Sequence, residues 1–256
     1  MKSKFMYLIY ALAFSIPMNT FAIEEVAVDV ELQLLLDVSG SVNSSEYQLQ
    51  LDGYSHAFGN SSLQQSILSG PIGSIAVQLI MWSGSTQQQV MIDWTLIDSV
   101  DSSLDFSNMV ASLARPFSGW TAIGEAISYS YTKFDNNDFN GTKKIIDVSG
   151  DGTNNSGIDP EVARDIALSN NIDTINGIAI STQKNVEDEF VDNVIGGDDA
   201  FLLVTTDFQS FQGSIEKKLI GEVTGVIPND AIAVSSPNNI VLFVIATFVI
   251  LFRKNK

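Results

Sequence analysis

The sequence predicts an α/β fold with a mostly parallel central sheet and one antiparallel edge strand. Three observations lead there. Short runs rich in Val, Ile and Leu recur without strict polar alternation, as in strands covered on both faces. Helical patterns fall between these runs, and strand and helix repeated in turn imply parallel pairing. The link from Trp82 to Val90 is too short for a crossover helix, so that pair must be an antiparallel hairpin at an edge. With 256 residues and 45% apolar content, the chain can bury one sizeable core, and one main domain is expected.

The elements follow in order. The run at 28–36 is the first strand, and Asn43 with Glu46 makes a capping pair that opens a helix reaching about residue 58. A short helix is expected at 63–68, then the hairpin strands at 74–82 and 90–97. Helices are predicted at 104–113 and 122–134, and a strand at 144–148. Pro160, after Asp159, stands well at a first helical position and starts a helix over 160–169. Strands at 172–180 and 201–204 alternate with helices at 186–194 and 208–223. The stretch TGVIPNDAIAVSSPNN (224–239) has Gly, Pro, Ser and Asn but little periodicity, and reads as a linker from residue 226 onward.

Both ends differ from this body. Lys2 and Lys4 precede an apolar run, and Thr20, Phe21 and Ala22 suit a signal peptidase, so residues 1–22 are expected to be a cleaved secretory signal. At the other end IVLFVIATFVILF is followed by Arg253, Lys254 and Lys256. Residues 240–256 therefore read as a hydrophobic membrane anchor with a basic cytoplasmic end, leaving the body outside. There is no cysteine, so an exported chain is held by its core, by metal or by both.

The net charge is −17, and five of the 13 basic residues lie in the two terminal segments, whereas all 30 acidic residues lie between them. Nucleic acid is excluded as a natural partner. An acidic surface suits salty surroundings or divalent cations.

The run LQLLLDVSGSVNSSEY (32–47) ends a strand in Asp37, Ser39 and Ser41. Residues at i, i+2 and i+4 on a turning loop can bring a carboxylate and two hydroxyls to one point, which suits a hard cation. Two other segments share that character: PFSGWTAIGEAI places Thr121 at a helix entry, and IIDVSGDGTNN ends a strand in Asp151. Mg²⁺ takes about six oxygens, and these five residues supply oxygens from three loops.

With these residues the chain resembles the von Willebrand factor A-like fold and its metal-ion-dependent adhesion site. The D-x-S-x-S motif is Asp37-Val38-Ser39-Gly40-Ser41, the separate threonine is Thr121 and the separate aspartate is Asp151. RPFSGWTAIGEAI, KIIDVSGDGTNN, INGIAI and NVIGGDDAF narrow the resemblance to an exported bacterial branch, the domain-of-unknown-function 1194 family. It implies a Rossmann-like three-layer domain over 23–225. It also implies that Ser39, Ser41 and Thr121 bind metal directly or nearly so, that Asp37 and Asp151 act partly through water, and that an open position receives a partner's Asp or Glu. The cation implied is Mg²⁺, with Mn²⁺ and Ca²⁺ as alternatives. VSSP (234–237) ahead of the apolar tail resembles a variant PEP-CTERM sorting signal, with Ser235-Ser236-Pro237 in place of the usual Pro-Glu-Pro.

The expected function is thus an exported, metal-dependent protein-binding domain on the periplasmic face of the inner membrane or on the cell surface. A scaffolding protein whose metal only stabilises loops is the alternative, and a metal-dependent hydrolase ranks below both. No Cys nucleophile, Gly-x-Ser-x-Gly elbow or phosphate-binding Gly-x-x-x-x-Gly-Lys motif is present. Asp147, inside a strand, reads as a hydrogen-bonded structural acid, and His56 as a surface or packing residue. Trp120 reads as lining the metal face or packing under its loop. FDNNDFNG (134–141) lacks EF-hand spacing and is expected to be a loop.

Overall fold

Five parallel strands run side by side with their carboxyl ends in register. The structure is a computed structural model describing residues 25–135 and 137–234. The expected signal segment and hydrophobic anchor lie outside those residues. Among the described residues, no helix is long and apolar enough to cross a membrane.

The elements are β1 (Val26–Asp37), α1 (Ser44–Gly59), α2 (Ser61–Leu68), β2 (Ile75–Trp82), β3 (Gln88–Ile97), α3 (Val100–Ala111), α4 (Ile123–Tyr131), β4 (Phe139–Gly150) and α5 (Pro160–Ser169). They continue with β5 (Thr174–Ile180), α6 (Lys184–Glu189) running into a π-turn at Phe190–Val194, β6 (Gly196–Gly197), β7 (Phe201–Thr205), α7 (Phe208–Thr224) and β8 (Ile232–Ala233). The sheet order is β3-β2-β1-β4-β5-β7-β8, with β6 beside β5. β1, β2, β4, β5 and β7 are parallel, and β3 is antiparallel to β2 at one edge. This is the predicted class.

β1 shows why the strand runs do not alternate. Leu32, Leu34 and Leu36 face α1 and α7, while Leu35 faces the opposite helical layer, and all four are buried. One layer holds α1, α2, α3 and α7; the other holds α4, α5 and α6.

Several boundaries differ from the sequence reading. α3 starts at Val100 because Ser99 and Ser102 form a reciprocal cap that the search for apolar spacing passed over. β4 begins at Phe139, so part of the segment expected to be a loop is strand. Its extension pairs with Val26–Val28 of β1, and buried Glu31 accepts from the Gly141 N–H (2.6 Å) and from Asn137 Nδ2. The predicted linker at 226–239 is corrected as far as Val234: Ile232 and Ala233 pair with β7, and the Val234 N–H donates to the Ala200 carbonyl. Local composition there is turn-like, but the open edge of β7 offers partners for its backbone.

Asp147 is also explained. It points from β4 into the layer of α1 and α7, where Lys218 Nζ lies 2.5 Å from both Asp147 and Glu222. Asn176 on β5 donates to Glu222, and its own oxygen accepts from the Phe201 N–H. All three charged groups are buried. Two carboxylates share one ammonium, and neither Asp147 oxygen gains a well-directed hydrogen bond. Burial therefore pushes both acids above their ordinary range, more than Lys218 pulls them down.

Candidate metal centre

β1 and β4 lie adjacent at the centre of the sheet, and the chain leaves their carboxyl ends toward opposite layers, into α1 and α5 respectively. Ligands of open α/β sheets sit in such a crevice. Asp37 is the last residue of β1, and Asp151 follows the last residue of β4.

The loop after β1 is short because Asn43 caps α1 at once, accepting from the Ser45 and Glu46 N–H groups. Asp37 Oδ1 accepts from the Ser39 N–H (2.7 Å), which turns the loop back over the strand end. Gln50 of α1 holds the Asp37 carbonyl at 3.0 Å. The Ser39 and Ser41 hydroxyls are 3.0 Å apart, and Ser41 Oγ donates to Asp151 Oδ1 at 2.6 Å. Four of the five predicted residues thus form one hydrogen-bonded chain. Thr121, almost fully buried, stands outside that chain and beside Gly152, the residue after Asp151.

The electrostatics of this corner call for a positive charge. Asp37 Oδ2 is buried without a hydrogen-bond partner. Burial, reinforced by the Asp151 charge, pushes the Asp37 carboxyl up to about 7. Burial also raises Asp151, with Glu46 adding repulsion against the opposing pull of the Ser41 hydrogen bond. A hard cation would relieve both strains. The serine oxygens, in hydrogen-bond contact at 3.0 Å, are close enough together for one cation to take both. Among the described residues, no three or more His, Cys, Asp or Glu side chains converge as a ligand group. The donors here are instead two carboxylates and neutral hydroxyls.

Three further residues build the corner, and the motif search missed them. Arg115 donates to the carbonyls of Val38 and Ser39 (both 2.7 Å), Val42 (2.8 Å) and Phe117 (3.2 Å). It thereby pins the D-x-S-x-S loop through its carbonyls. The Gly40 N–H donates to the Gly119 carbonyl at 2.8 Å, so the segment carrying Arg115 and Thr121 lies along that loop. Asn155 Oδ1 accepts from the Thr121 N–H, and Asn154 Oδ1 accepts from the Ile123 N–H. α4 lacks a cap of its own at Ala122, and Asn154 supplies one from the Asp151 loop. The only trace of this in the sequence is the asparagine pair after GDGT.

Trp120 is exposed beside Thr121, so it does not pack under its loop. His56 is exposed in the last turn of α1, at the far end of that helix from Asn43.

Comparison with solved structures gives the same fold. Proximal thread matrix protein 1 from the mussel byssus is similar at TM-score 0.60 and 17% identity, over 78% of this chain and 49% of the mussel chain. A second structure of that protein, described as having a zinc-occupied MIDAS motif, matches at TM-score 0.59 and 17% identity, with the same coverage of both chains. A von Willebrand factor type A protein from Catenulispora acidiphila matches at TM-score 0.54 and 14% identity, over 78% of this chain and 43% of its own. The chain therefore spans about half the length of the solved structures it resembles. A search of curated proteins found no match. The family described as "Protein of unknown function (DUF1194)" matches residues 27–227, a span that includes all five oxygen-bearing residues, and this von Willebrand factor A-like chain belongs to it.

Proposed function

We propose that the chain is a metal-dependent protein-binding domain that recognises an Asp or Glu side chain on a partner protein. Asp37, Ser39, Ser41, Thr121 and Asp151 hold the cation, Mg²⁺ ahead of Mn²⁺ or Ca²⁺. The observation that carries this reading is the convergence of two buried carboxylates and two hydroxyls, with one Asp37 oxygen left unpartnered. The zinc-bearing MIDAS motif of the mussel protein supports a divalent ion at this corner of the fold.

When bound, the cation offers a position for one incoming carboxylate. The protein's own groups set how strongly. Ser39, Ser41 and Thr121 are neutral donors and leave more positive charge uncompensated than carboxylates would, which favours an anionic ligand. Arg115 keeps the loop carbonyls engaged on its side, so the serine hydroxyls turn toward Asp151. Binding rather than turnover fits this donor set, and no recognised nucleophile and base pair accompanies it. The chain is exported and tethered through residues 240–256.

The test is calorimetric titration of Mg²⁺, Mn²⁺ and Ca²⁺ into the metal-free full-length chain, alongside Asp37→Ala and Thr121→Ala. Saturable binding in the unmutated protein, lost in both variants, is expected. Equal binding in all three proteins would remove these residues from the site.

A further inference from the structure

Trp120 is 69% exposed, more than any other large apolar side chain among the described residues. The other two tryptophans are placed differently: Trp82 is buried, and the Trp94 indole N–H donates to the Lys133 carbonyl. Exposure of Trp120 does not come from a loose backbone. Its carbonyl accepts from Ser83 Oγ at 3.0 Å, and the next N–H, that of Thr121, is held by Asn155 at 2.8 Å. On its other side the Gly119 carbonyl is held by Gly40. A bulky ring is thus carried into solvent on a fixed strip of chain, next to a residue of the metal centre.

Its surroundings favour one kind of contact. The residue before Trp120 must be glycine, because a Cβ at Gly119 would lie 2.4 Å from Gln87 Oε1. Outside the proposed ligands, Glu46 lies close enough to act on Asp151 and Glu189 accepts from the Asn154 N–H, so two further carboxylates stand at this corner. Arg115, while bound to the loop carbonyls, offsets only part of the Asp151 charge and leaves Glu46 and Glu189 unpaired with any cation among the described residues at this corner. An indole face attracts cations more than other aromatic rings do, and negative neighbours strengthen that attraction.

We propose that Trp120 is a second contact point: it takes the side chain of an Arg or Lys that lies within two residues of the partner's metal-seeking carboxylate. This rests on the reading given under Proposed function. The partner is then a protein segment that pairs an acidic with a basic residue, which also offsets the acidic character of this chain. Trp120 decides which acidic segments bind, whereas the oxygen cluster decides that they must be acidic.

The experiment uses the full-length chain in saturating Mg²⁺ and four capped hexapeptides with central pairs Asp-Arg, Asp-Leu, Asp-Glu and Asn-Arg between glycines. Affinities are measured for the unmutated protein, Trp120→Ala and Trp120→Phe. The Asp-Arg peptide is expected to bind about fivefold or more tighter than Asp-Leu, with Asp-Glu weaker still. Trp120→Ala should erase the Asp-Arg advantage and Trp120→Phe should keep part of it, with Mg²⁺ affinity and the requirement for Asp over Asn unchanged in both. An Asp-Arg preference that survives in Trp120→Ala, or equal binding of Asp-Arg and Asp-Leu, overturns the inference and leaves the metal-dependent reading standing. Mg²⁺ binding with no Asp-dependent peptide binding in the unmutated protein overturns both.

Discussion

Asp37 is held at a cost to the metal-free protein. Its carboxylate is buried, one oxygen has no partner, and Asp151 repels it. Asp37→Asn keeps the oxygen that accepts from the Ser39 N–H and removes the charge. At pH 8, without metal, this variant should melt at or above the temperature of the unmutated chain, yet show no rise when Mg²⁺ is added. Such an exchange of stability for activity is common at functional sites. Arg115 shows a different residue-scale effect. Arg115→Lys retains the charge but cannot span several carbonyls with a planar fork. Losing two of those hydrogen bonds should cost about 1–3 kcal/mol and lower Mg²⁺ affinity, both read by thermal melting with and without Mg²⁺. Unchanged Mg²⁺ affinity would mean the serine loop holds its shape without the clamp.

At the scale of elements, α4 and α7 are tied to the sheet by polar side chains. Asn154 caps α4 from another loop, so Asn154→Ala should cost about 1 kcal/mol in chemical unfolding, the usual worth of a cap. α7 docks through Lys218 against Asp147 and Glu222, and Lys218→Met would leave two buried acids without a cation. A loss of about 3–5 kcal/mol is expected. The same cluster predicts a pH dependence. Asp147 and Glu222 are both held above their ordinary range, and Tyr54 from α1, itself raised well above its usual value, adds no positive charge nearby. Between about pH 4.5 and 7 the folded chain therefore carries more protons than the unfolded chain, and stability falls as pH rises. In saturating Mg²⁺ the melting temperature should decline across that window, and Glu222→Gln should flatten the decline. A melting temperature that rises with pH would mean both acids are ionised when buried.

For the molecule as a whole, metal affinity and folding are linked. The loops after β1 and β4 and the segment before α4 meet only in the folded chain, so a cation held by all three binds the native state alone. Mg²⁺ at a hundred times its dissociation constant should then add about 2.7 kcal/mol of stability, and excess chelator should remove it. A melting temperature indifferent to Mg²⁺ would separate this corner from metal binding. The whole-molecule charge enters here too: with 30 acidic residues and a net charge of −17, surface carboxylates also draw cations weakly, so the stabilisation by Mg²⁺ should saturate at low concentration and vanish in Asp37→Ala.

Much of this was legible along the chain, and the reason is locality. Strand runs, the capping pair Asn43 and Glu46, Pro160 after Asp159 and the short Trp82 to Val90 link are each set by neighbouring residues. Asp37, Ser39, Ser41, Thr121 and Asp151 could be picked out because strand ends mark where loops gather in a parallel sheet. What stayed hidden depends on partners far apart in sequence. Arg115 reaches carbonyls more than seventy residues away, Asn154 caps a helix that precedes it, and Lys218 on α7 finds Asp147 on β4. The strand at Ile232–Ala233 exists because β7 leaves an edge to pair with, and two residues are too few to mark a strand by themselves. Residue order and polarity chose the elements and brought out the proposed oxygen donors, since those are short-range preferences. Folding chose which charges neutralise each other and which oxygen of Asp37 stays unpartnered, since burial and long-range hydrogen bonding arise only when the layers close.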